Sequence, residues 1–349
     1  MIRIGIIGIG FMGFTHFEAA KKLRGAKVTA IATRNKKKLA GNWTGIQGNF
    51  GPRGGQVDTS KFKTYADYRD LLADPQIDLV DICVPTDLHE EVVLAAIAAG
   101  KDVLVEKPIA VELRTANRMI RAADRAGTLL MVAQVLPYGP EFRYLRECVQ
   151  SGRFGKLRAA HFRRVITPPT WSKDMADYRK LGGWGIDLHI HDNHFISLIC
   201  GVPRKVYSRG IVEDGLVNHL HTQYVYDQAD LAVSCVSGGI AAAGLKFAAG
   251  FEVYFEKATI LYNAGTLGSD WVVERPLTVI TNRGKPRMPR LKGGSEWCSA
   301  FTAELQDAVN AVKSAKQPEV LSAALARDAL KLCYAEAKSI STQRIVKLS

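Results

Sequence analysis

The sequence predicts an α/β domain on a doubly wound parallel sheet, followed by an α+β domain with a large, mostly antiparallel open sheet. Three observations carry this. A β-branched run at the N-terminus ends in glycine and leads straight into a helix, and short apolar strands then alternate with helices as far as residue 133. Beyond about residue 156 strand follows strand with few helices between. At 349 residues the chain also exceeds the size at which one core keeps growing.

Ile2-Arg3-Ile4-Gly5-Ile6-Ile7-Gly8 is the first strand, and Phe14 to Leu23 has helical apolar spacing with Lys21 and Lys22 near its end. Val28 to Thr33 predicts a buried strand, Tyr65 to Leu72 a helix, and Leu79 to Val84 a strand closed by Pro85. A helix at Glu90 to Ala99 stops at Gly100, and a strand follows at Asp102 to Val105. Leu113 to Ala126 predicts a helix stopped by Gly127, and Leu129 to Ala133 the last strand of the alternating series. The second half predicts strands at Leu157–Val165, Lys205–Val212, His219–Tyr226, Leu231–Val236, Phe251–Phe255, Thr259–Tyr262 and Leu277–Ile280. Ile186 to Ile199 is the one long helix among them, and helices at Ala300–Lys313 and Ala323–Lys338 end the chain. The expected domains are residues 1–133 and 134–349, with the C-terminal helices free to pack back on the first.

Lys and Arg number 47 against 34 Asp and Glu, a net charge of +13 that attracts anions. The basic residues are scattered rather than stacked along one helix with aromatics, so a phosphorylated small molecule fits and nucleic acid is not expected. The six cysteines lie far apart with no C-x-x-C and read as buried thiols of a reducing compartment. Met1 to Ile9 is unlike a signal peptide, and no apolar run is long enough to cross a bilayer. A cytoplasmic protein with no membrane partner is expected.

Gly8-Ile9-Gly10-Phe11-Met12-Gly13 is G-x-G-x-x-G between a strand and a helix, the context in which a Rossmann-type domain binds a dinucleotide. Gly8 permits the turn, Gly10 lets the backbone approach a pyrophosphate, and Gly13 lets the helix pack close to the strand. Phe11 and Met12 open that helix, where unpaired N–H groups collect. At the end of the second strand, Thr33-Arg34-Asn35-Lys36-Lys37-Lys38 offers a hydroxyl and cations but no carboxylate. Thr33, Arg34 and Lys38 therefore favour NADP over NAD. The glycine-dense stretch Gly41 to Gly55 predicts a loop near the adenosine end of that cofactor.

The strand Val103-Leu104-Val105 runs into Glu106-Lys107-Pro108 at the carboxyl edge of the sheet, where ligands of doubly wound folds bind. An ammonium there can hydrogen-bond an alcohol oxygen and favour the alkoxide as hydride leaves. The small trans preference of X-Pro also makes the Lys107–Pro108 bond a candidate for cis geometry.

The glycine fingerprint, the Glu106-Lys107-Pro108 triplet and the domain order together resemble the glucose-fructose oxidoreductase / inositol dehydrogenase / rhizopine-catabolism (Gfo/Idh/MocA) oxidoreductase family over nearly the whole chain. Gly182-Gly183 followed by Asp187-x-x-x-His191 looks like that family's second signature. The resemblance implies an NAD(P)-dependent oxidoreductase acting on the CH–OH group of a sugar, cyclitol or glycoside, with Lys107, Asp187 and His191 as the catalytic set. Asp187 and His191 stand four apart, one helical turn, and share a face. An imidazole titrating near neutrality suits a hydroxyl proton, so His191 is the expected base. Asp187 would orient it or bond a substrate hydroxyl. Whether His191 or Lys107 takes the proton stays open, because coupled groups share their titration.

The resemblance also implies that Pro85, Thr86, His89 and Glu106 lie along the cofactor and that Gln134 and Tyr138 contact substrate. Arg163, Arg164, Trp171, Tyr178 and Trp184 flank the second domain's cleft segment and suit a sugar ring. No metal site is expected, since His189 and His191 face apart on a helix. His219 and His221 share one strand face as a solvent-facing or substrate-edge pair. A homodimer or homotetramer through the second domain's open sheet is expected. Two rivals remain: an enzyme that retains NAD(P) and performs net redox-neutral sugar or glycoside chemistry, and a non-catalytic NADP sensor.

Overall fold

A computed structural model describes residues 1–48, 50–168, 182–268, 270–294 and 296–348. In chain order the described elements begin β1 (Ile2–Ile7), α1 (Phe11–Ala20), β2 (Ala26–Ala32), α2 (Lys36–Leu39), β3 (Lys63–Tyr65), α3 (Tyr68–Ala73), β4 (Leu79–Ile82) and α4 (His89–Ala98). They continue with β5 (Asp102–Glu106), α5 (Leu113–Ala126), β6 (Leu130–Ala133), α6 (Pro140–Gln150), β7 (Leu157–Ile166), α7 (Trp184–Asp187) and α8 (Ile190–Cys200). Then come β8 (Lys205–Glu213), β9 (Leu216–Val225), β10 (Ala232–Gly238), β11 (Phe247–Phe255), β12 (Ala258–Leu267), β13 (Asp270–Thr281) and β14 (Pro286–Arg287). α9 (Ser299–Ser314), α10 (Ala323–Thr342) and β15 (Val346–Lys347) end the chain. Two compact units result, Met1–Tyr138 with Gly293–Arg327, and Gly139–Lys292 with Asp328–Ser349. The expected boundary after residue 133 thus moves to Tyr138, and Gly293–Arg327 joins the first unit because α9 packs on α1.

In the first unit six strands pair in the order β3-β2-β1-β4-β5-β6, all parallel. Leu79, Val80, Ile82, Val103, Leu104 and Val105 are all buried, as befits strands covered on both faces. The strand order reverses between β1 and β4, so the carboxyl ends of these strands frame the crevice where such sheets bind ligands. α5 ends at Gly127 in the left-handed region (φ 68°), the glycine stop read from the sequence. β3 went unread because Lys63 and Thr64 are exposed, leaving this edge strand without an apolar pattern. The opposite edge is covered, with the Val132 N–H donating to Leu321 O at 2.9 Å.

In the second unit nine strands pair in the order β14-β13-β12-β11-β7-β10-β9-β8-β15. All pairs are antiparallel except β7 with β10. Alternation in β7 turns Ala160, Phe162, Arg164 and Ile166 inward and leaves His161 and Arg163 exposed. α6 and α8 cover the inner face through Phe142 and Phe195, whose rings stand 5.1 Å apart, and both rings meet residues of the sheet. The predicted continuous helix from Ile186 to Ile199 is broken into α7 and α8 at Leu188 and His189. No described helix is long and apolar enough to cross a membrane.

Candidate active site

The fingerprint turn in the first unit is built by its glycines. Gly8 has φ 94°, and a Cβ there would lie 2.7 Å from the Cys83 carbonyl oxygen. A Cβ on Gly13 would lie 2.0 Å from the Gly8 carbonyl oxygen, whereas one on Gly10 would meet nothing within 4 Å. Close packing at two glycines and open space at the third form a cradle that fits a pyrophosphate against the N-terminus of α1, whose N-cap Gly10 offers no side-chain cap. A surface cavity of about 570 Å³, lined by Lys22, Arg24, Gln306 and Lys313, lies past the other end of α1 and is separate from this cradle.

Around the cradle the structure sorts the expected contacts. Arg34 is exposed and Thr33 half-buried at the end of β2, while Asn35 caps α2 by accepting the Lys37 and Lys38 N–H groups. Lys38, expected at a phosphate, instead donates from Nζ to the Ile9 carbonyl oxygen at 2.5 Å, and burial pulls its pKa down. Met12 is half-buried, and Phe11 meets Phe50 of the glycine-dense loop edge-on at 4.7 Å. That loop is not a bare insertion, because Trp43 is buried between Phe14 and Phe17 and donates to the Lys38 carbonyl oxygen at 2.9 Å. Pro85 is exposed and Thr86 half-buried beyond β4. His89 departs from its expected place along the cofactor: it is buried, with Nδ1 3.0 Å from Pro108 O and Nε2 3.1 Å from Val84 O. It braces the lysine turn.

Lys107 is half-buried just past β5, and its bond to Pro108 is cis. The Glu106 carboxylate points into the core rather than along the cofactor. Its Oε2 accepts the Lys107 N–H at 3.0 Å, and its Oε1 lies 3.1 Å from His16 Nε2. Gln134, past β6, is 0% exposed, and neither its Oε1 nor its Nε2 has a hydrogen-bond partner among the described residues. Tyr138, expected on the substrate, instead donates its hydroxyl to Asp307 at 2.6 Å.

In the second unit, Gly182 (φ 77°) and Gly183 (φ 80°) make a turn open to glycine, and a Cβ on Gly185 would lie 2.7 Å from Val217 Cβ. The Gly-Gly signature thereby seats α7 tightly on β9. Asp187 ends α7 and His191 lies in the first turn of α8, both half-buried. Between them the backbone stays in the αR region, but the ladder tightens, with the His191 N–H donating to Leu188 O at 3.3 Å. His189 Nε2 lies 3.0 Å from Glu336 Oε1, and Asn193 donates to Glu336 Oε2 at 2.7 Å. Arg164, expected on a sugar, donates from Nε to both Asp192 oxygens at 3.0 Å and is buried. Trp184, also expected there, is 3% exposed and packs with Ile166 and Leu188. Trp171 and Tyr178 lie outside the described residues. Burial opposes a charge on His189, and Glu336 outweighs it, holding the imidazole above its ordinary range.

His219 and His221 share a strand face as expected, their Nε2 atoms 3.3 Å apart, with burial and the neighbouring imidazole lowering the His219 pKa. Two donor groups, His16 with Asp81 and Cys83, and His189 with Asp192 and Cys235, are close enough to share a cation. Burial raises both thiols, the opposite of what a thiolate ligand needs.

The sequence reading missed the anchors: His16, Asp81, Glu304, Asp192 and Glu336. Their signal was present, since Asp81 interrupts the strand Leu79-Val80-Asp81-Ile82 and Glu336 lies within an alanine- and leucine-rich helix. A charge inside an apolar run marks a buried partner.

A dinucleotide cradle at the switch point of a parallel sheet, with a lysine turn on the same carboxyl edge, defines the class of nicotinamide-cofactor oxidoreductases. A profile described as "Oxidoreductase family, NAD-binding Rossmann fold" (Gfo/Idh/MocA) matches residues 2–134. The chain is 27% identical to the myo-inositol 2-dehydrogenase of Thermotoga maritima over 353 aligned positions, covering 99% of this chain and 98% of that protein. It is 30% identical over 246 positions to the 1,5-anhydro-D-fructose reductase of Ensifer adhaerens, covering 65% of this chain and 68% of that protein. The crystal structure of an oxidoreductase from Agrobacterium radiobacter, in complex with NAD+, L-tartaric acid and magnesium, shares the fold with a TM-score of 0.79 at 20% identity, over 99% of this chain and 98% of that one. The protein belongs to the Gfo/Idh/MocA oxidoreductase family and is an oxidoreductase.

Proposed function

We propose that the protein is a cyclitol or sugar dehydrogenase, moving a hydride between nicotinamide and a secondary alcohol or its ketone. The observation that carries this is the conjunction of the open Gly10 cradle and the Lys107 turn on one edge of one sheet. Relatives named for myo-inositol and 1,5-anhydro-D-fructose support a cyclic, polyhydroxylated substrate.

The nicotinamide, when bound, accepts or donates the hydride. Gly8, Gly10 and Gly13 with the N–H groups of Phe11 and Met12 hold the pyrophosphate. Arg34 and Thr33 receive a 2′-phosphate, and the absence of a carboxylate at the end of β2 makes NADP the preferred cofactor over NAD. Lys107 donates a hydrogen bond from Nζ to the reacting oxygen, stabilising its developing charge. His191 takes the hydroxyl proton on its imidazole, and Asp187 orients that ring or holds a neighbouring hydroxyl. A homodimer or homotetramer forms through the outer face of the nine-stranded sheet.

An absorbance assay of nicotinamide reduction, with NAD and NADP against inositols, hexoses and glycosides, tests this reading. Oxidation of a cyclic polyol, faster with NADP, is expected; no reduction of either cofactor by any polyol would contradict it. Mass spectrometry of co-purifying nucleotide separates an exchanging cofactor from a retained one.

A further inference from the structure

Beneath the lysine turn lies a cluster of buried charge for which the chemistry above has no use. His16 on α1, Asp81 on β4, Glu106 at the end of β5 and Glu304 on α9 come from four elements and are all buried. His16 Nδ1 lies 2.9 Å and 3.0 Å from the two Asp81 oxygens. On the other side of the ring, Nε2 lies 3.1 Å from Glu106 Oε1 and 3.9 Å from Glu304 Oε2, as ion contacts rather than aligned hydrogen bonds. The Cys83 thiol stands 3.5 Å from Nδ1. Apolar side chains of similar volume would stabilise the core at least as well as a buried ion cluster, so stability alone does not account for it.

The connections supply another reason. His16 lies on the helix that opens at the pyrophosphate cradle, and its ring reaches the carboxylate whose other oxygen accepts the Lys107 N–H. One imidazole therefore ties the cofactor-binding helix to the strand end carrying the lysine. Burial works against a proton on this ring, and the Asp81 carboxylate overrides it, holding the pKa well above the ordinary histidine range. Burial raises the Glu304 pKa well above the ordinary carboxylate range. The ring stands between the Asp81 and Glu106 carboxylates.

We infer that His16 is a positioning residue for hydride transfer: oriented by Asp81, it pins the Glu106 carboxylate, which fixes the backbone from which the Lys107 side chain departs. This rests on the reading that Lys107 serves the reaction. No bond is made or broken at His16; a misplacement of the reacting groups by about 1 Å is enough to slow catalysis about 100-fold.

The test uses the whole protein with His16→Gln, Asp81→Asn, Glu106→Gln and the double variant H16Q/E106Q. Turnover at saturating substrate, cofactor Kd and the primary deuterium isotope effect are read, with folding checked by circular dichroism. The expected result for H16Q is a fall in kcat of about 10- to 100-fold, with cofactor Kd unchanged within about 2-fold. Its isotope effect rises as the chemical step becomes limiting, and the double variant is no slower than the slower single one. Wild-type kcat in folded H16Q would overturn the inference, as would losses that merely follow the unfolded fraction, or a stoichiometric transition metal that elemental analysis finds in the wild type and not in folded H16Q. Should H16Q fail to fold, wild-type kcat in both Asp81→Asn and Glu106→Gln overturns it, and a lowered kcat with unchanged Kd in either supports it. Lys107→Ala runs alongside. If it turns over at the wild-type rate, the reading of Lys107 itself fails; if it is inactive while H16Q is fully active, only the positioning role of His16 fails.

Discussion

Each unit buries a histidine beside a residue proposed for the chemistry, yet the two histidines are balanced differently. In the first unit His16 faces Asp81, Glu106 and Glu304, and among the described residues no second cation joins that cluster. In the second, His189 faces Glu336 while Arg164 takes Asp192, so two cations meet two acids. The consequence shows at Glu304, whose pKa burial raises well above the carboxylate range although His16 works in the opposite direction. A balanced network can serve as a closed anchor: His189, Asp192 and Asn193 flank His191 in sequence and tie the start of α8 to Arg164 and Glu336. An unbalanced one leaves a carboxylate oxygen, Glu106 Oε2, for the N–H of Lys107. In both units the proposed catalytic side chain lies within two residues of a buried polar anchor, so a fixed backbone aims a half-buried group.

The largest expected effect tests whether both units serve one reaction. Lys107→Ala and His191→Ala should each lower turnover by about 100- to 10,000-fold while cofactor Kd, measured by nicotinamide fluorescence, stays at the wild-type value. An effect in only one of the two would break the symmetry between the units.

Next in size are the anchors themselves. Asp192→Ala leaves the Arg164 guanidinium buried without its carboxylate, and unfolding in urea should show a loss of about 3–5 kcal/mol. Glu304→Gln replaces a carboxyl group that burial biases toward its neutral form with a neutral amide of the same shape, and the same measurement should show a change of about 1 kcal/mol or less. Equal losses in the two variants would mean that the charge balance drawn above is wrong.

The comparison also explains what the sequence disclosed. The glycine cradle, the lysine turn and the Gly182-Gly183 turn are local, each set by adjacent residues whose backbone demands are visible in one window. The anchors are long-range: His16 meets Asp81 across 65 positions and His189 meets Glu336 across 147. No periodicity reports such a pairing. The same distance effect accounts for Arg164, Trp184 and Tyr138, which carry the chemistry of sugar binders but are claimed by Asp192, the Ile166–Leu188 cluster and Asp307. The parallel pairing of β7 with β10 escaped for a related reason, since alternation sets a strand's faces but not its direction.

The smallest expected effect is in the pH dependence of stability. His16 and His189 hold their protons more tightly in the native state than at the ordinary value of 6.5. Their contribution is therefore fully present below pH 6.5 and is lost as pH rises through the raised native values. His89 and His219 are lowered by burial, so theirs is present above 6.5 and is lost as pH falls through the lowered values. Thermal unfolding across pH should show a decline on both sides, and His16→Gln should flatten the alkaline limb more than the acid one.

The most direct measurement follows a label. A cyclic polyol carrying deuterium on its secondary carbons is incubated with the protein and NADP, and the reduced nucleotide is analysed by mass spectrometry for wild type, Lys107→Ala and His191→Ala. Deuterium on the nicotinamide ring in the wild type, and almost none in either variant over the same time, is the expected outcome. A reduced nucleotide without label, or label transferred by the variants at the wild-type rate, would contradict the account.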